Sequence, residues 1–440
     1  MRDKLNVVQI NTTDVHGGAA RVAFNLHRNY LERGLVSHML VGRKLSDDPA
    51  VIEIPRVKRD AGINWTTWQS ARAQHYVTKM LGRECFVQPG LWPILDRIKP
   101  APHILHCHNL LDGYFDLRIL PTLCRRFHVF LTLHDMWLLT GHCAHPLGCD
   151  RWKSGCGRCP DISIYPAIRR DATRHNWRRK QSIFGRSRLH VAAPSRWLAD
   201  KARLSILTSA AADYRVIPNG VDLRVFQPGD QAKARRELGL SCDAYLVLFV
   251  AADIRRNPFK DVDTLRAAIA LIGERAPSKE VVGLAVGEAG APEILGRARL
   301  HFVGPQNQAE LVRYYHAADV YLHAARAESF SNVALEARAC GLPVVAADVG
   351  GLREQIIEGE TGRLVPGGDA HAMATAAMPY LENKGLRDAT GEKGACDARS
   401  RFSLTRQAEE YLAWYRDVMS TPPSRAVAAC DGDGPSAGHS

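Results

Sequence analysis

ESFSNVALEARACGLPVVAADVGGLRE, residues 328–354, holds a complete helix–strand unit together with its punctuation. Ser331 is an N-cap residue standing just before Val333, Ala334, Leu335 and Ala337, so a helix is expected to start there. Gly341-Leu342-Pro343 stops it, Val344–Ala347 reads as a buried strand, and Gly350-Gly351 opens the next turn. The free N–H groups and the dipole at such a helix start make an anion site. Two carboxylates bracket it, Glu328 in the loop and Glu336 about one and a half turns into the helix. Alone, the pattern equally describes an ordinary helix–strand unit with solvated glutamates, so its meaning depends on the surrounding chain.

That chain repeats the alternation. In the second half Leu246–Ala251, Val281–Val286, Leu300–Val303, Val320–His323 and Arg363–Val365 read as further strands with helical segments between them. The first half does the same at Leu5–Ile10, Ser37–Val41, His103–Cys107, Val129–Leu133 and Leu189–Ala193. Strands alternating with helices specify an α/β chain whose parallel sheets are covered on both faces. Between the halves, Ile217-Pro218-Asn219-Gly220-Val221-Asp222 is a turn-rich join suited to a hinge. The expected architecture is two Rossmann-like domains facing across a cleft, residues 1–212 and 213–400, followed by a helix at 401–419. Leu404, Ala408, Tyr411, Leu412, Tyr415 and Val418 mark one face of that helix. Residues 420–440, rich in Pro, Gly, Ser and Ala, are expected to form a disordered tail.

Composition narrows the function classes. With 46% hydrophobic and 24% charged residues the chain is of soluble globular type, and its longest apolar run, Tyr245–Ala252, is far shorter than the roughly 18 residues that suggest a membrane span. Met1-Arg2-Asp3-Lys4 leads straight into a strand with no apolar signal core, so a cytoplasmic location is expected. Eleven cysteines, an odd count and mostly scattered, suit a reducing compartment. Charge is unequally shared: residues 1–212 hold 32 Lys and Arg against 16 Asp and Glu, while the remainder is net acidic. A basic half calls for an anionic partner such as a membrane surface, a phosphate-bearing lipid or nucleic acid.

Polar residues collect where strands end. After the first strand comes Asn11-Thr12-Thr13-Asp14-Val15-His16-Gly17-Gly18 and then a helical pattern from Ala19 to Leu31, a turn in which backbone can approach an anion closely. It is not G-x-G-x-x-G, so the dinucleotide fingerprint is absent. His106-Cys107-His108-Asn109 and His134-Asp135-Met136-Trp137 close two successive strands, at the edge where open α/β sheets hold their ligands. In the second half a basic loop, Arg255 to Lys260, follows the strand Leu246–Ala251.

With these pieces side by side, the chain resembles the retaining nucleotide-sugar glycosyltransferases of the GT-B fold, in family 4. The matching segments keep that family's order: Gly17-Gly18, His134, Ala193-Pro194-Ser195, Pro218-Asn219-Gly220-Val221-Asp222, Arg255 with Lys260, then Glu328/Glu336 with Gly350-Gly351 and Glu354. The resemblance covers about residues 5–418, and Leu133–Pro160 looks like a bacterial branch associated with surface polysaccharide synthesis. It implies a nucleoside-diphosphate sugar as donor, a glycan acceptor, lipid-linked, and no cofactor required for catalysis. Arg255 and Lys260, with the N–H groups of Phe330, Ser331 and Asn332, would meet the diphosphate, whose charge grows as the glycosidic bond breaks. By the same resemblance Glu336 accepts the ribose hydroxyls, Glu328 holds a hydroxyl of the transferred sugar, His134 reaches that sugar from the other domain, and Gly17-Gly18 lets backbone approach diphosphate and acceptor. Two departures stand out. Asp261 occupies a position where the family often has glycine, and Arg256 offers a second arginine beside Arg255, the spacing to Lys260 favouring Arg255.

Cys143, Cys149, Cys156 and Cys159 are spaced C-x5-C-x6-C-x2-C, which can surround one tetrahedral structural zinc, with His142 and His145 as competing ligands and free thiols or a disulfide as the alternative. Such a cluster would pin the loop that presents His134. Arg169, Arg170, Arg174, Arg178, Arg179 and Lys180, with Trp177 and Phe184 among them, fit a solvated helix face or a peripheral contact with anionic lipid. Two other function classes compete. A nucleic-acid-binding protein with a cysteine zinc module would leave Glu328, Glu336 and the Arg255–Lys260 loop unexplained. A GT-B nucleotide-sugar epimerase would need no acceptor, against which the basic first domain argues. On the favoured reading no nucleic acid is bound.

Overall fold

The computed structural model describes residues 4–55, 73–74, 76–84, 91–111 and 113–420; the 421–440 part of the expected tail lies outside the described residues. Two seven-stranded sheets carry the chain. The first contains β1 (Asn6–Thr13), β2 (Val36–Arg43), β3 (Val51–Glu53), β4 (Ile104–Cys107), β5 (His128–Thr132), β6 (Leu189–Ala193) and β7 (Ala211–Val216), all parallel, in the order β3-β2-β1-β4-β5-β6-β7. The second contains β8 (Tyr245–Val250), β9 (Val281–Val286), β10 (Glu293–Leu295), β11 (Ala298–Val303), β12 (Val320–His323), β13 (Val344–Ala347) and β14 (Gly362–Val365), in the order β10-β11-β9-β8-β12-β13-β14. Only its edge pair β10–β11 runs antiparallel. The expected α/β fold of two Rossmann-like domains is therefore present. Strand order reverses between β1 and β4 and between β8 and β12, and crevices for ligands form at such switch points.

Three short strands, β3, β7 and β10, were not legible. Each is an edge strand or hairpin arm with exposed or half-buried residues, so the apolar run that marks a fully buried strand is missing. β7 belongs to the first sheet and ends at Val216, just beyond the boundary expected at residue 212.

The last described helix, Leu404–Ser420, returns to the first domain. Ala408, Tyr411, Leu412, Trp414 and Tyr415 are buried in one cluster with Val7, Tyr30, Phe130 and Ile217. Its polar edges are also spoken for: Tyr411 Oη lies 2.7 Å from Thr132 Oγ1, and Trp414 Nε1 donates to Asp213 at 2.7 Å. The chain thus crosses between domains twice, and the crossings touch, with Val221 N donating to Phe402 O at 2.8 Å. Gly220 permits this, since a Cβ there would lie 2.5 Å from Leu404 Cα. Among the described residues no helix is long and apolar enough to cross a membrane.

Candidate active site

Most of the cleft-facing side chains sit near a strand end or a helix start, while His145 and Tyr165 come from the long loop between β5 and the helix Thr173–Phe184. Beyond β1 the chain turns through Gly17, whose φ of 94° suits glycine, into the helix Gly18–Glu32. Beyond β5 stands His134. In the second domain Ser331 caps the helix Asn332–Ala339, its Oγ accepting from Ala334 N at 3.2 Å, as the sequence pattern requires. Gly350 and Gly351 bring the following turn against the Glu328 loop: Gly351 N donates to Glu328 O at 3.0 Å, and a Cβ on Gly350 would lie 1.8 Å from that oxygen.

These parts enclose a cleft of about 610 Å³. Gly18, Asn109, His134 and His145 line it from the first domain, and Arg256, Lys260, Glu328, Phe330 and Asn332 from the second. Glu336 lines an adjoining recess with Arg21, Asn332 and Gln308.

The two glutamates occupy opposite electrostatic settings. Lys260 Nζ donates to Glu328 Oε2 at 2.7 Å, and His323 Nε2 lies 3.3 Å from the same oxygen. Burial alone would raise the Glu328 carboxyl, but the Lys260 ammonium and His323 outweigh it and hold the group well below the usual carboxylate range. Glu336, 5% exposed, accepts from Tyr315 Oη at 2.9 Å and from Arg21 Nη1 at 3.2 Å. Here burial prevails over Arg21 and Tyr315, and the carboxyl stands above its ordinary 4.5. Neither Arg21 nor Tyr315 was singled out by sequence. Arg21 lies one turn past Gly17, and only the closed arrangement of the domains brings it to Glu336.

His134 belongs to a buried chain of hydrogen bonds. His108 Nε2 lies 2.7 Å from Gln9 Oε1, and His108 Nδ1 lies 2.9 Å from His134 Nε2. With the Gln9 carbonyl oxygen as acceptor, His108 carries its proton on Nε2 and accepts at Nδ1 from His134 Nε2–H. Nδ1 of His134 is then left unprotonated. Burial pushes His134 down to about 3 and His108 well below its ordinary value, so both rings are neutral at pH 7. The sequence marked His108 as part of a polar strand end but gave it no role.

The two arginines of the basic loop separate. Arg255 turns to Glu288, with Nη2 2.6 Å from Oε1 of that residue, and lies over the ring of Phe302. Arg256 lines the cleft beside Lys260. Spacing alone could not foresee Glu288, 33 positions later at the end of β9. Asp261 caps the helix Val262–Arg275 through Thr264 N, a use that glycine could not supply.

The domain boundary is bonded beside the cleft. Glu354 accepts from Arg196 N and Trp197 N, both at 2.8 Å, at the start of the helix Arg196–Arg203 in the other domain. Ser195 Oγ donates to Ser329 O at 2.9 Å, and Asn332 Nδ2 donates to Gly18 O at 3.3 Å.

One expectation needs correcting. Cys143, Cys149, Cys156 and Cys159 do gather around one small cavity, yet among the described residues no group of three or more His, Cys, Asp or Glu is disposed to hold a metal ion. Burial pushes Cys143 up to about 12 and Cys156 up to about 11, and Cys156 packs on the first domain's core. The structural zinc is not supported. The basic helix is observed as Thr173–Phe184, with Arg174 and Arg178 exposed on it. Its Trp177 and Phe184 are buried, and Lys180 is enclosed, donating to Trp137 O at 2.8 Å and pairing with Glu84 at 2.7 Å. The aromatic residues that suggested a lipid contact are core residues.

Comparison with known proteins agrees with this geometry. Residues 16–225 match the family model described as Glycosyltransferase Family 4, and residues 244–383 match that described as Glycosyl transferases group 1. Among curated relatives, a D-inositol 3-phosphate glycosyltransferase of Actinosynnema mirum is 38% identical over 262 residues, covering 53% of this chain and 62% of that protein. The chain spans about half the length of other curated relatives of that name. Among solved structures, sucrose-phosphate synthase from Thermosynechococcus elongatus superposes with a TM-score of 0.68 at 21% identity, covering 95% of this chain and 100% of that one. Anabaena HepE in complex with UDP-glucose does so with a TM-score of 0.62 at 16% identity, covering 94% and 99%. Both likenesses concern the fold. Residues 16–225 and 244–383 are therefore a family 4 and a group 1 glycosyltransferase domain, joined across a cleft in the GT-B arrangement.

Proposed function

We propose that the chain is a retaining, metal-independent glycosyltransferase that moves a sugar from a nucleoside-diphosphate sugar to an acceptor hydroxyl. One observation carries this: Lys260, the capped helix start at Ser331, Glu328 and His134 converge on a single cleft from two domains. The acceptor oxygen bonds to the anomeric carbon as the bond from that carbon to the diphosphate breaks. The bonding electrons leave with the nucleoside diphosphate, and the acceptor proton passes to a departing phosphate oxygen. Lys260, Arg256 and the N–H groups of Phe330 and Asn332 meet that growing charge, while the N–H of Ser331 is taken by Gln355 Oε1 at 3.3 Å. Arg255, held by Glu288, contributes at longer range. Glu328 and His134 hold hydroxyls of the transferred sugar, and Glu336 takes the ribose in place of its contact with Arg21. The acceptor enters over the basic first domain. A growing glycan, lipid-linked, in surface polysaccharide synthesis at the cytoplasmic face is the first candidate. The exposed Arg169, Arg170, Arg174 and Arg178 offer it a peripheral anionic contact, which sedimentation with anionic vesicles tests and an absence of binding removes. A phosphorylated cyclitol is the second candidate, favoured by the name of the 38%-identical relative.

The deciding experiment measures thermal stabilisation and slow donor hydrolysis with UDP-glucose, UDP-galactose, UDP-N-acetylglucosamine and GDP-mannose. Stabilisation and turnover with at least one is expected. No response to any, together with tight salt-sensitive DNA binding, would overturn the proposal.

Glu336 gives a pH-dependent prediction. Its raised pKa means that it takes up a proton at a higher pH than an ordinary glutamate, and it then exchanges a charged acceptor oxygen for an O–H donor. UDP affinity is expected to fall on acidification from pH 8 towards 5. Glu336→Gln should weaken UDP binding about tenfold, worth about 1.4 kcal/mol, and flatten that part of the pH profile which the nucleotide's own phosphate does not explain. Titration calorimetry on both chains across this range checks it; parallel profiles would remove Glu336 from the ribose site.

A further inference from the structure

One polar group on the cleft wall is buried with an unfilled hydrogen-bond valence and has no part in the site as built so far. His145 is 8% exposed, and its Nδ1 has no hydrogen-bond partner among the described residues. Buried polar atoms of native proteins are nearly always paired, so an unpaired one on a side chain that lines a cavity points to a ligand. The backbone before His145 is pinned: Met136 N donates to Ala144 O at 2.7 Å, and Ala144 N donates to Tyr165 O at 2.8 Å. The ring meets Phe259 of the other domain edge-on, with centroids 4.8 Å apart, directly beside Lys260. Glu328 and Lys260 are both close enough to act on its charge. His145 also lines a second recess of about 150 Å³, together with Trp152, Glu328 and Gly350.

A neutral imidazole offers one donor and one acceptor, the complement of a hydroxyl rather than of a phosphate. Next to Glu328, whose carboxylate is already matched by Lys260, that hydroxyl belongs to the transferred sugar and not to the nucleotide. We infer that His145 is a specificity-determining residue, its imidazole binding one ring hydroxyl of the transferred sugar, so that the cysteine-rich loop reads the sugar from the first domain. This rests on the reading of the cleft as a nucleotide-sugar site.

The test compares wild type, His145→Phe and His145→Gln in donor hydrolysis with the epimers UDP-glucose and UDP-galactose, alongside UDP affinity. For His145→Phe the expected result is unchanged UDP affinity, a loss of about tenfold or more in kcat/KM for the preferred epimer, and a smaller ratio between epimers. His145→Gln, which restores a polar atom, should recover part of that ratio, and it carries the same readout if the phenylalanine chain does not fold. If wild type discriminates between the epimers and both variants keep its ratio, this inference falls and the function stands. If wild type binds no UDP and turns over neither epimer, nor GDP-mannose, the underlying reading falls and takes this one with it.

Discussion

A Lys260→Ala chain is expected to lose roughly a hundred- to a thousandfold in kcat/KM for donor turnover, with weakened UDP binding. The ammonium does two jobs. It pairs with Glu328 at 2.7 Å, and on the proposed reading it meets the departing diphosphate beside the Ser331 helix start. Removing it takes charge from the transition state and strands a carboxylate whose side chain is only 16% exposed. A buried group left without its partner costs about 1–3 kcal/mol. That cost has a pH signature. In wild type the depressed Glu328 pKa contributes stability above the ordinary 4.5, which is lost as pH falls towards the folded value. Without Lys260 the burial effect dominates, the folded pKa moves up, and the penalty is relieved by protonation. The gap in Tm between the two chains should therefore be widest near neutrality and narrow on acidification. A Lys260→Ala, Glu328→Gln double variant should recover stability without recovering turnover. If Lys260→Ala turned over donor normally, the cation at the diphosphate would have to be sought in Arg256.

The parts of this site that could be read in advance were those fixed by backbone logic. Ser331 was legible as an N-cap because capping is local, and Gly350-Gly351 because only glycine tolerates the approach of the Glu328 loop. The strands of both sheet centres were legible because burial on two faces demands continuous apolar runs, as in Val281–Val286. What stayed hidden depends on contacts between segments far apart in the chain. Arg21 reaches Glu336 across 315 positions, and Glu354 meets Arg196 across 158. Spacing placed Arg255 on the diphosphate, but Glu288 claims its guanidinium. The cysteine spacing suggested a metal, because that pattern does not record that Trp152 fills the interior beside the thiols.

His134→Ala is expected to lower kcat by roughly a hundredfold or more while UDP affinity stays near wild type, since on the proposed reading the residue, which lines the cleft from the first domain, holds the sugar and not the nucleotide. The more informative variant is one removed from the ligand. His108 accepts from His134 Nε2–H at 2.9 Å and is itself fixed by Gln9 at 2.7 Å. The rings of His108 and His134 stack at 5.2 Å. This chain selects the His134 tautomer with Nδ1 unprotonated, so a sugar hydroxyl can donate to it. His108→Phe keeps the ring volume and deletes the acceptor. Nε2 of His134 is then free to give up its proton, the ring populates the other tautomer, and a donor replaces the acceptor in the cleft. The expected result is a fall in kcat of about tenfold or more with little change in KM for the donor, which mere loosening of the domain would not produce. His108→Asn tests the cause, because its side-chain oxygen can again accept from Nε2–H. Recovery of kcat by Asn but not by Phe places the effect in the hydrogen bond; equal losses in both place it in packing. The coupling also has a direction. Combined with His134→Ala, the His108→Phe change should have almost no further effect on kcat, since a positioning residue has nothing left to position.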